Sequence, residues 1–163
     1  MKTRIMIIFT LMVVATTAMG QGLNFSDQAQ KEAKAMAGEG WTVAPYTLPL
    51  EQQLEALYTY MSEFDDDNNP VYIVGEGLGS AADYPEARTQ AMTIAVHVLY
   101  SYLEDPTSME VSRPVHDQDL GNIKKVIDVS RKTDEGKIEA KITLVAISDV
   151  VRDFYKKQME NKK

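Results

Sequence analysis

The chain has 163 residues, no cysteine, and 24 acidic residues against 17 basic ones, for a formal net charge of −7. Without cysteine, the chain forms no disulfide and has no thiol nucleophile or thiolate-ligated metal site. Phosphate backbones and anionic lipid headgroups repel an acidic protein, so we expect neither nucleic acid nor a membrane surface as a partner.

The first twenty residues have the pattern of an export signal. Lys2 and Arg4 form a basic start, and an apolar run follows over residues 5–18. This run is shorter than the roughly twenty residues that a membrane-spanning helix needs. Small residues precede Gln21, so we predict cleavage between Gly20 and Gln21. Cleavage removes both basic residues and no acid, which takes the net charge from −7 to −9.

We therefore predict a cleaved signal peptide over residues 1–20 and a single domain over residues 21–163. The length of the domain is sufficient for a hydrophobic core of its own. With no cysteine at the cleavage junction, we expect the mature chain to carry no lipid anchor and not to be inserted in the membrane. We expect a periplasmic protein, with an extracellular location as the alternative.

Two helices are predicted at the start of the mature chain. The first begins at Ser26, a good N-cap, and ends near Gly38. A short extended segment follows, and the second helix begins near Pro49, which suits a first helical turn. Its apolar stripe consists of Leu50, Leu54, Leu57, Tyr58 and Met61.

A strand and a long helix follow. Residues 71–74 read as a strand, and we interpret the glycine-rich residues 75–80 as a flexible exit from it with room for close backbone contact. The helix begins near Pro85, and its small residues Ala87, Ala91 and Ala95 let it lie close to a sheet. We interpret residues 105–121 mostly as a loop with room for a short strand near residues 110–112, because the segment contains Asp-Pro, Arg-Pro and Leu-Gly pairs.

The clearest β pattern lies near the end of the chain. Apolar residues alternate with polar ones on both sides of residues 133–136, which contain an Asp-x-Gly turn. The two alternating segments and the turn together predict an antiparallel hairpin. Ser148 caps a final helix. The predicted fold is therefore a two-layer α+β domain with a small, mostly antiparallel sheet. Its core has the order β-α-β-β-α and is preceded by two N-terminal helices. We expect all helices to lie on one face of the sheet.

Several segments resemble those of a family of uncharacterised exported proteins from Bacteroidetes-type bacteria. They are residues 39–41, 48–54 and 70–75 and the alanine-rich helix. The domain of that family is similar to the small envelope lipoproteins typified by the twenty-kilodalton Helicobacter lipoprotein. The resemblance implies an envelope protein with a β-α-β-β-α core and no known enzymatic activity. This chain differs in lacking the lipidated cysteine and in a bulkier segment at residues 96–100.

The acidic run after the second helix has part of the pattern of a calcium loop. Asp65, Asp67 and Asn69 fall at the first, third and fifth positions of an EF-hand loop, and Glu76 falls at the twelfth. The sixth position must turn sharply with positive φ, and here it is Pro70, whose ring holds φ negative. We therefore interpret the segment as a solvated turn.

No other segment has a clear catalytic or ligand-binding pattern. The glycines of residues 75–80 lack the spacing of a phosphate loop and no lysine follows them. His116, Asp117 and Asp119 could ligate a metal, but three ligands in one short loop do not readily converge. His97 falls on the polar side of its helix. We therefore predict no catalytic residue, cofactor or metal.

The aromatic residues near turns and helix starts are the candidate interaction surface. They are Trp41, Tyr46, Tyr72 and Tyr84. Half-exposed aromatic groups commonly anchor protein partners, although they can equally cap the edges of a modest core. We predict a non-enzymatic, exported cell-envelope domain that acts through a protein or surface interaction. The alternative is a small envelope hydrolase using acidic residues, for which Glu76 and Asp83 would have to lie close together.

Overall fold

The structure, a computed structural model, describes residues 25–103 and 114–160. The predicted signal peptide and much of the predicted loop over residues 105–121 lie outside these residues. The described elements are α1 (Phe25–Gly38), β1 (Thr42–Val43), α2 (Leu50–Met61), β2 (Ile73–Ala81), α3 (Tyr84–Tyr100), a 3₁₀ helix (Asp117–Asp119), β3 (Lys124–Lys132), β4 (Ile138–Ala146) and α4 (Ser148–Glu160).

The four strands form one antiparallel sheet in the order β1-β3-β4-β2. The predicted α+β class and the β-α-β-β-α core, which runs from β2 to α4, are confirmed. The predicted hairpin is β3 and β4, joined by a turn in which Gly136 has a φ of 81°. The helices α1 and α2 precede this core, as the apolar spacing predicts.

Helices cover both faces of the sheet. On one face, α3 and α4 bury Ala140, Ile142 and Leu144 of β4. The neighbouring residue Val145 points to the opposite face and packs with Ile127 of β3 against α1 and α2. The expectation that all helices share one face is therefore correct for α3 and α4 and wrong for α1 and α2, because β3 has apolar residues for a second core.

The glycine-rich segment is part of β2 and not a flexible exit from a strand. Gly75, Gly77 and Gly79 pair with β4 and face α3. A Cβ atom at Gly77 would overlap the main-chain oxygen of Ala91, and Gly75 and Gly79 are equally crowded. The glycines and the alanines of α3 therefore let helix and strand backbones meet directly. The predicted close backbone contact is therefore present, while the predicted flexible exit is wrong because these residues continue the strand.

A β-bulge in β3 changes which side chains face α3. The register with β4 shifts between Lys125 and Ile127, so that Val126 is the additional residue. In a regular strand, Lys125 and Asp128 would point to opposite faces. Here they pair with Leu144 and Ile142, which both face α3. The bulge thus brings a lysine and an aspartate together on one face.

Candidate interaction site

The connection between β1 and α2 contains a strained turn. The carbonyl oxygen of Ala44 accepts hydrogen bonds from the Thr47 backbone N–H at 3.3 Å and from its hydroxyl at 2.7 Å. Pro45 occupies the second position, and Tyr46 occupies the third with a φ of 63°. This is the pattern of a type II turn, in which the third position favours glycine. A side chain in this conformation costs about 1–2 kcal/mol.

The side chain at the strained position is fully exposed. Tyr46 shows no burial at all, and Leu48 and Val43 beside it are 57% and 38% exposed. We refer to residues 43–48 as the aromatic turn. It presents a tyrosine and two aliphatic side chains to solvent on a connection that is closed by hydrogen bonds.

Gln53 of α2 holds the aromatic turn in place. Its side chain is buried, and its Nε2 donates to the carbonyl oxygen of Leu48 at 2.6 Å and to the Thr47 hydroxyl at 3.2 Å. Its Oε1 accepts from the backbone N–H of Asp128 at 3.0 Å. The carbonyl oxygen of Asp128 in turn accepts from the Ala44 N–H at 3.0 Å. The aromatic turn is therefore fixed to both α2 and β3.

The carboxylate of Asp128 is buried beneath this attachment, at the centre of a charged cluster. It accepts from the Tyr84 hydroxyl at 2.9 Å and from Arg88 Nε at 3.0 Å, and Lys125 Nζ lies 2.7 Å away. Burial and the nearby Asp128 carboxylate raise the pKa of Tyr84 to about 12. Tyr84 is therefore a neutral hydrogen-bond donor at physiological pH.

Asp117 of the 3₁₀ helix completes the cluster. It accepts two hydrogen bonds from Arg88 Nη2, at 2.7 and 2.9 Å, and one from Lys125 at 3.0 Å. Partial burial acts to raise its pKa, but the hydrogen bonds from Lys125 and Arg88 outweigh this and lower it. Two cations and two carboxylates balance, so the cluster joins α3, β3 and the 3₁₀ helix without a net charge.

The structure does not gather the four predicted aromatic residues into one surface. Tyr46 and Tyr84 are linked through Asp128, since the main chain of Asp128 holds the aromatic turn and its side chain holds Tyr84. Trp41 is 8% exposed and belongs to the core with α1 and α2. Tyr72 is partly buried, with its ring edge-on to Tyr60 at 4.8 Å. Among the four, Tyr46 is the one that presents its ring to solvent.

Sequence reasoning missed Gln53 and Asp128. Gln53 is placed between Leu50 and Leu57 at helical spacing, and a polar residue on an apolar stripe indicates a buried hydrogen bond. This signal was available. Asp128 alternates with apolar neighbours and reads as a solvent-facing strand residue, because the sequence does not show that helices cover both faces of the sheet.

The acidic residues considered for calcium have other partners. Asp65 Oδ1 accepts from the backbone N–H groups of Asp67 at 3.0 Å and Asn69 at 2.8 Å. The hydrogen bond from Asn69 lowers the pKa of Asp65. Glu76 lies on β2, where Lys141 Nζ approaches its carboxylate to 3.2 Å. In the described part of the chain, no group of three metal-ligating side chains comes together.

The remaining candidates are also separated. Asp117 binds Arg88, while Asp119 accepts from the backbone N–H of His116 at 2.9 Å, so these residues do not share one ligand position. Asp83 caps α3 through the Glu86 N–H at 2.9 Å. The intervening strand rises about 3.3 Å per residue, which places Glu76 and Asp83 on the order of 15 Å apart. This pair does not form a two-carboxylate site.

Comparison of the chain with known proteins identifies no relative. No family model, curated protein or solved structure matches the chain. Within residues 25–103 and 114–160, no helix has the length and apolar character needed to cross a membrane.

Proposed function

We propose that this chain is an exported, non-enzymatic domain of the cell envelope that binds another protein through the aromatic turn. The observation that supports the proposal is the combination of backbone strain and full exposure at Tyr46. A glycine there would relieve the strain, and the exposed ring contributes nothing to the core. Strain retained at an exposed side chain points to a role in recognition.

The aromatic turn is well suited to insertion into an apolar pocket of a partner. Tyrosine supplies a large contact area with few rotatable bonds, and a turn that is already ordered has little entropy left to lose on binding. Gln53 and Asp128 provide that order. Leu48 and Val43 would flank the inserted ring and exclude water around it.

Photo-crosslinking at position 46 tests this function. A photoreactive phenylalanine analogue at Tyr46 should crosslink a discrete protein when the chain is exported by a native-like host. The matched control is Tyr102, also an exposed tyrosine, at 57%. We expect an adduct at position 46 that is missing at position 102. In a separate co-purification without crosslinking, Tyr46→Ser should abolish recovery of the same protein. Identical adducts at the two positions, or none at position 46, would contradict the proposal.

Export is proposed on the basis of residues 1–20, with the periplasm as the destination and an extracellular location as the alternative. The predicted resemblance to exported Bacteroidetes-type proteins also supports the proposal of export. Intact mass measurement after fractionation tests it. A mature chain that begins at Gln21 is expected, and a mass that retains the first twenty residues would contradict cleavage.

A further inference from the structure

The negative charge of the predicted mature chain comes from one segment. Between Lys34 and Arg88 the sequence has ten acidic residues and no lysine, arginine or histidine. The remainder of the mature chain has nearly equal numbers of acidic and basic residues. The acidic segment contains the aromatic turn, α2 and the connection from α2 to β2. The proposed binding site therefore lies within the acidic part of the chain.

The connection that follows α2 is a short hairpin with an acidic tip. Its ends are joined by the Val71 N–H, which donates to the Glu63 carbonyl oxygen at 2.9 Å. Asp66 and Asp67 are exposed at the tip. We refer to residues 63–71 as the acidic hairpin. Because an α-helix rises about 1.5 Å per residue, α2 separates the acidic hairpin from the aromatic turn by roughly 18 Å.

The exposed side of α2 connects these two ends. Glu51 and Glu55 are one helical turn apart and are both exposed. Apolar side chains are exposed at each end of the helix, Leu48 at 57% before it and Phe64 at 51% after it. We refer to the exposed side chains of residues 46–67 as the acidic ridge. The ridge thus combines carboxylates with apolar groups that a partner could cover.

The carboxylates of the acidic ridge are not neutralised within the described domain. Among the described residues, Glu51, Glu55, Asp66 and Asp67 have no lysine or arginine partner. The cations of the charged cluster beneath the aromatic turn are bound by the two carboxylates of that cluster. Like charges that remain on one surface repel one another and oppose folding. Cationic groups on a partner would relieve this repulsion.

The helix dipole adds to the electrostatic cost at the end of α2. Glu63 directly follows the C-cap residue Ser62, and the last turn of α2 contains no basic residue. The negative end of a helix disfavours a carboxylate at this place. Lys124, whose Nζ donates to the Tyr60 hydroxyl at 3.0 Å, offsets part of the Glu63 charge. The stability of the domain therefore does not account for the acidic residues that follow α2.

We infer that the protein bound by the aromatic turn is basic and lies along the acidic ridge, with lysine or arginine side chains opposite α2 and the acidic hairpin. The inference rests on the proposed function, since Tyr46 supplies the apolar contact. Charge complementarity fixes the direction in which the partner extends from Tyr46 and speeds their encounter. The same carboxylates repel an acidic protein that offers a similar apolar pocket, so the ridge adds specificity.

Charge reversal at the tip of the acidic hairpin tests the inference far from the apolar contact. The exported full chain carries the photoreactive phenylalanine analogue at position 46, and Asp66→Lys is combined with Asp67→Lys. We expect recovery of the position-46 adduct to fall at least about tenfold. The matched control combines Asp134→Lys with Glu135→Lys, which makes the same change in charge at the exposed turn between β3 and β4. It should leave the adduct unchanged, and circular dichroism verifies that each variant is folded.

The salt dependence of the adduct provides a second measurement that needs no substitution in the acidic ridge. Raising NaCl from about 50 mM to about 300 mM should reduce recovery of the position-46 adduct at least about fivefold, because salt screens exposed charges. An adduct that resists both salt and the substitutions at the acidic hairpin would overturn this inference and leave the aromatic turn as a binding site. An adduct with a second copy of the chain, or with an acidic surface, would do the same. The absence of any adduct would overturn the proposed function as well.

Discussion

The buried side chain of Gln53 joins the backbone of Asp128 to the aromatic turn. Its Oε1 accepts from the Asp128 N–H at 3.0 Å, and its Nε2 donates to the Leu48 carbonyl oxygen at 2.6 Å. One amide thus satisfies groups on β3 and on the connection before α2. The exposed Tyr46 is consequently supported by hydrogen bonds that lie inside the domain.

Replacing Gln53 should therefore weaken the whole fold. Gln53→Leu keeps the size of the side chain but leaves the buried Asp128 N–H without a partner and removes the hydrogen bond to the Leu48 carbonyl oxygen. Unsatisfied buried groups of this kind cost about 1–3 kcal/mol each, so we expect a loss of about 2–4 kcal/mol in the free energy of unfolding. Urea denaturation measures this loss.

The neighbouring Gln52 offers the control for that experiment. It is exposed on the same turn of α2, and surface substitutions usually change stability by less than about 0.5 kcal/mol. Gln52→Leu should therefore unfold at nearly the natural urea concentration. Equal effects of the two substitutions would show that the hydrogen bonds of Gln53 do not support the aromatic turn.

Tyr46→Gly should stabilise the protein and weaken its interaction with the partner. Glycine relieves the cost of positive φ at this position, although it adds entropy to the unfolded chain. We expect a net gain of about 0.5–1 kcal/mol in thermal or urea unfolding. Opposite changes in stability and in partner recovery would separate recognition from folding. A Tyr46→Gly chain that is less stable than the natural one would contradict the strain argument.

The extent to which the fold follows from the sequence depends on the range of the interactions. The alternation in β3 and β4, the apolar stripe of α2 and the alanines of α3 are local patterns, and each predicts its element correctly. Local patterns indicate close backbone contact at the glycines, but they do not show that Gly77 lies within β2 and meets Ala91 of α3.

The same reasoning applies to the candidate site. Tyr46 follows a proline in a turn, so its exposure could be anticipated from the sequence. The charged cluster could not, because the bulge at Val126 brings Lys125 and Asp128 to one face. Long-range pairing, and not the composition of β3, decides that arrangement.

Gly77→Ala should severely destabilise the domain. The added Cβ would overlap the main-chain oxygen of Ala91, and a rigid helix backbone cannot move aside as a flexible side chain would. Overpacking typically costs 1–3 kcal/mol or more, and we expect a loss of at least about 3 kcal/mol. Thermal unfolding followed by circular dichroism measures it.

Gly38→Ala is the matched substitution. Gly38 is the last residue of α1, and a Cβ there meets nothing within 4 Å. The free energy of unfolding of the Gly38→Ala variant should differ from that of the natural chain by less than about 1 kcal/mol, because alanine is a better helix former than glycine and no contact is lost. If Gly77→Ala were tolerated as well as Gly38→Ala, α3 could not lie against β2 as closely as described.

The charged cluster should make the fold sensitive to acid. The hydrogen bonds from Lys125 and Arg88 lower the pKa of Asp117 below its usual value of 3.8. The stabilisation from this carboxylate is therefore fully present above that value, and it is lost as the pH falls through the lowered pKa. Asp117→Asn should cost about 0.5–1 kcal/mol at neutral pH, because the carboxylate is half exposed. Towards acid, the difference from the natural chain should then disappear.

Urea unfolding of both chains from pH 7 to pH 2 measures this convergence. Lys125→Met removes one of the cations that contact Asp117. Like Asp117→Asn, it should therefore make the free energy of unfolding depend less on acid pH than in the natural chain. Both substitutions remove the interaction between Lys125 and Asp117. At neutral pH, the losses in free energy of unfolding of the two single variants should therefore sum to more than the loss of the double variant. Parallel pH profiles for the natural chain and Asp117→Asn would show that the cluster does not bind the carboxylate more strongly in the folded state.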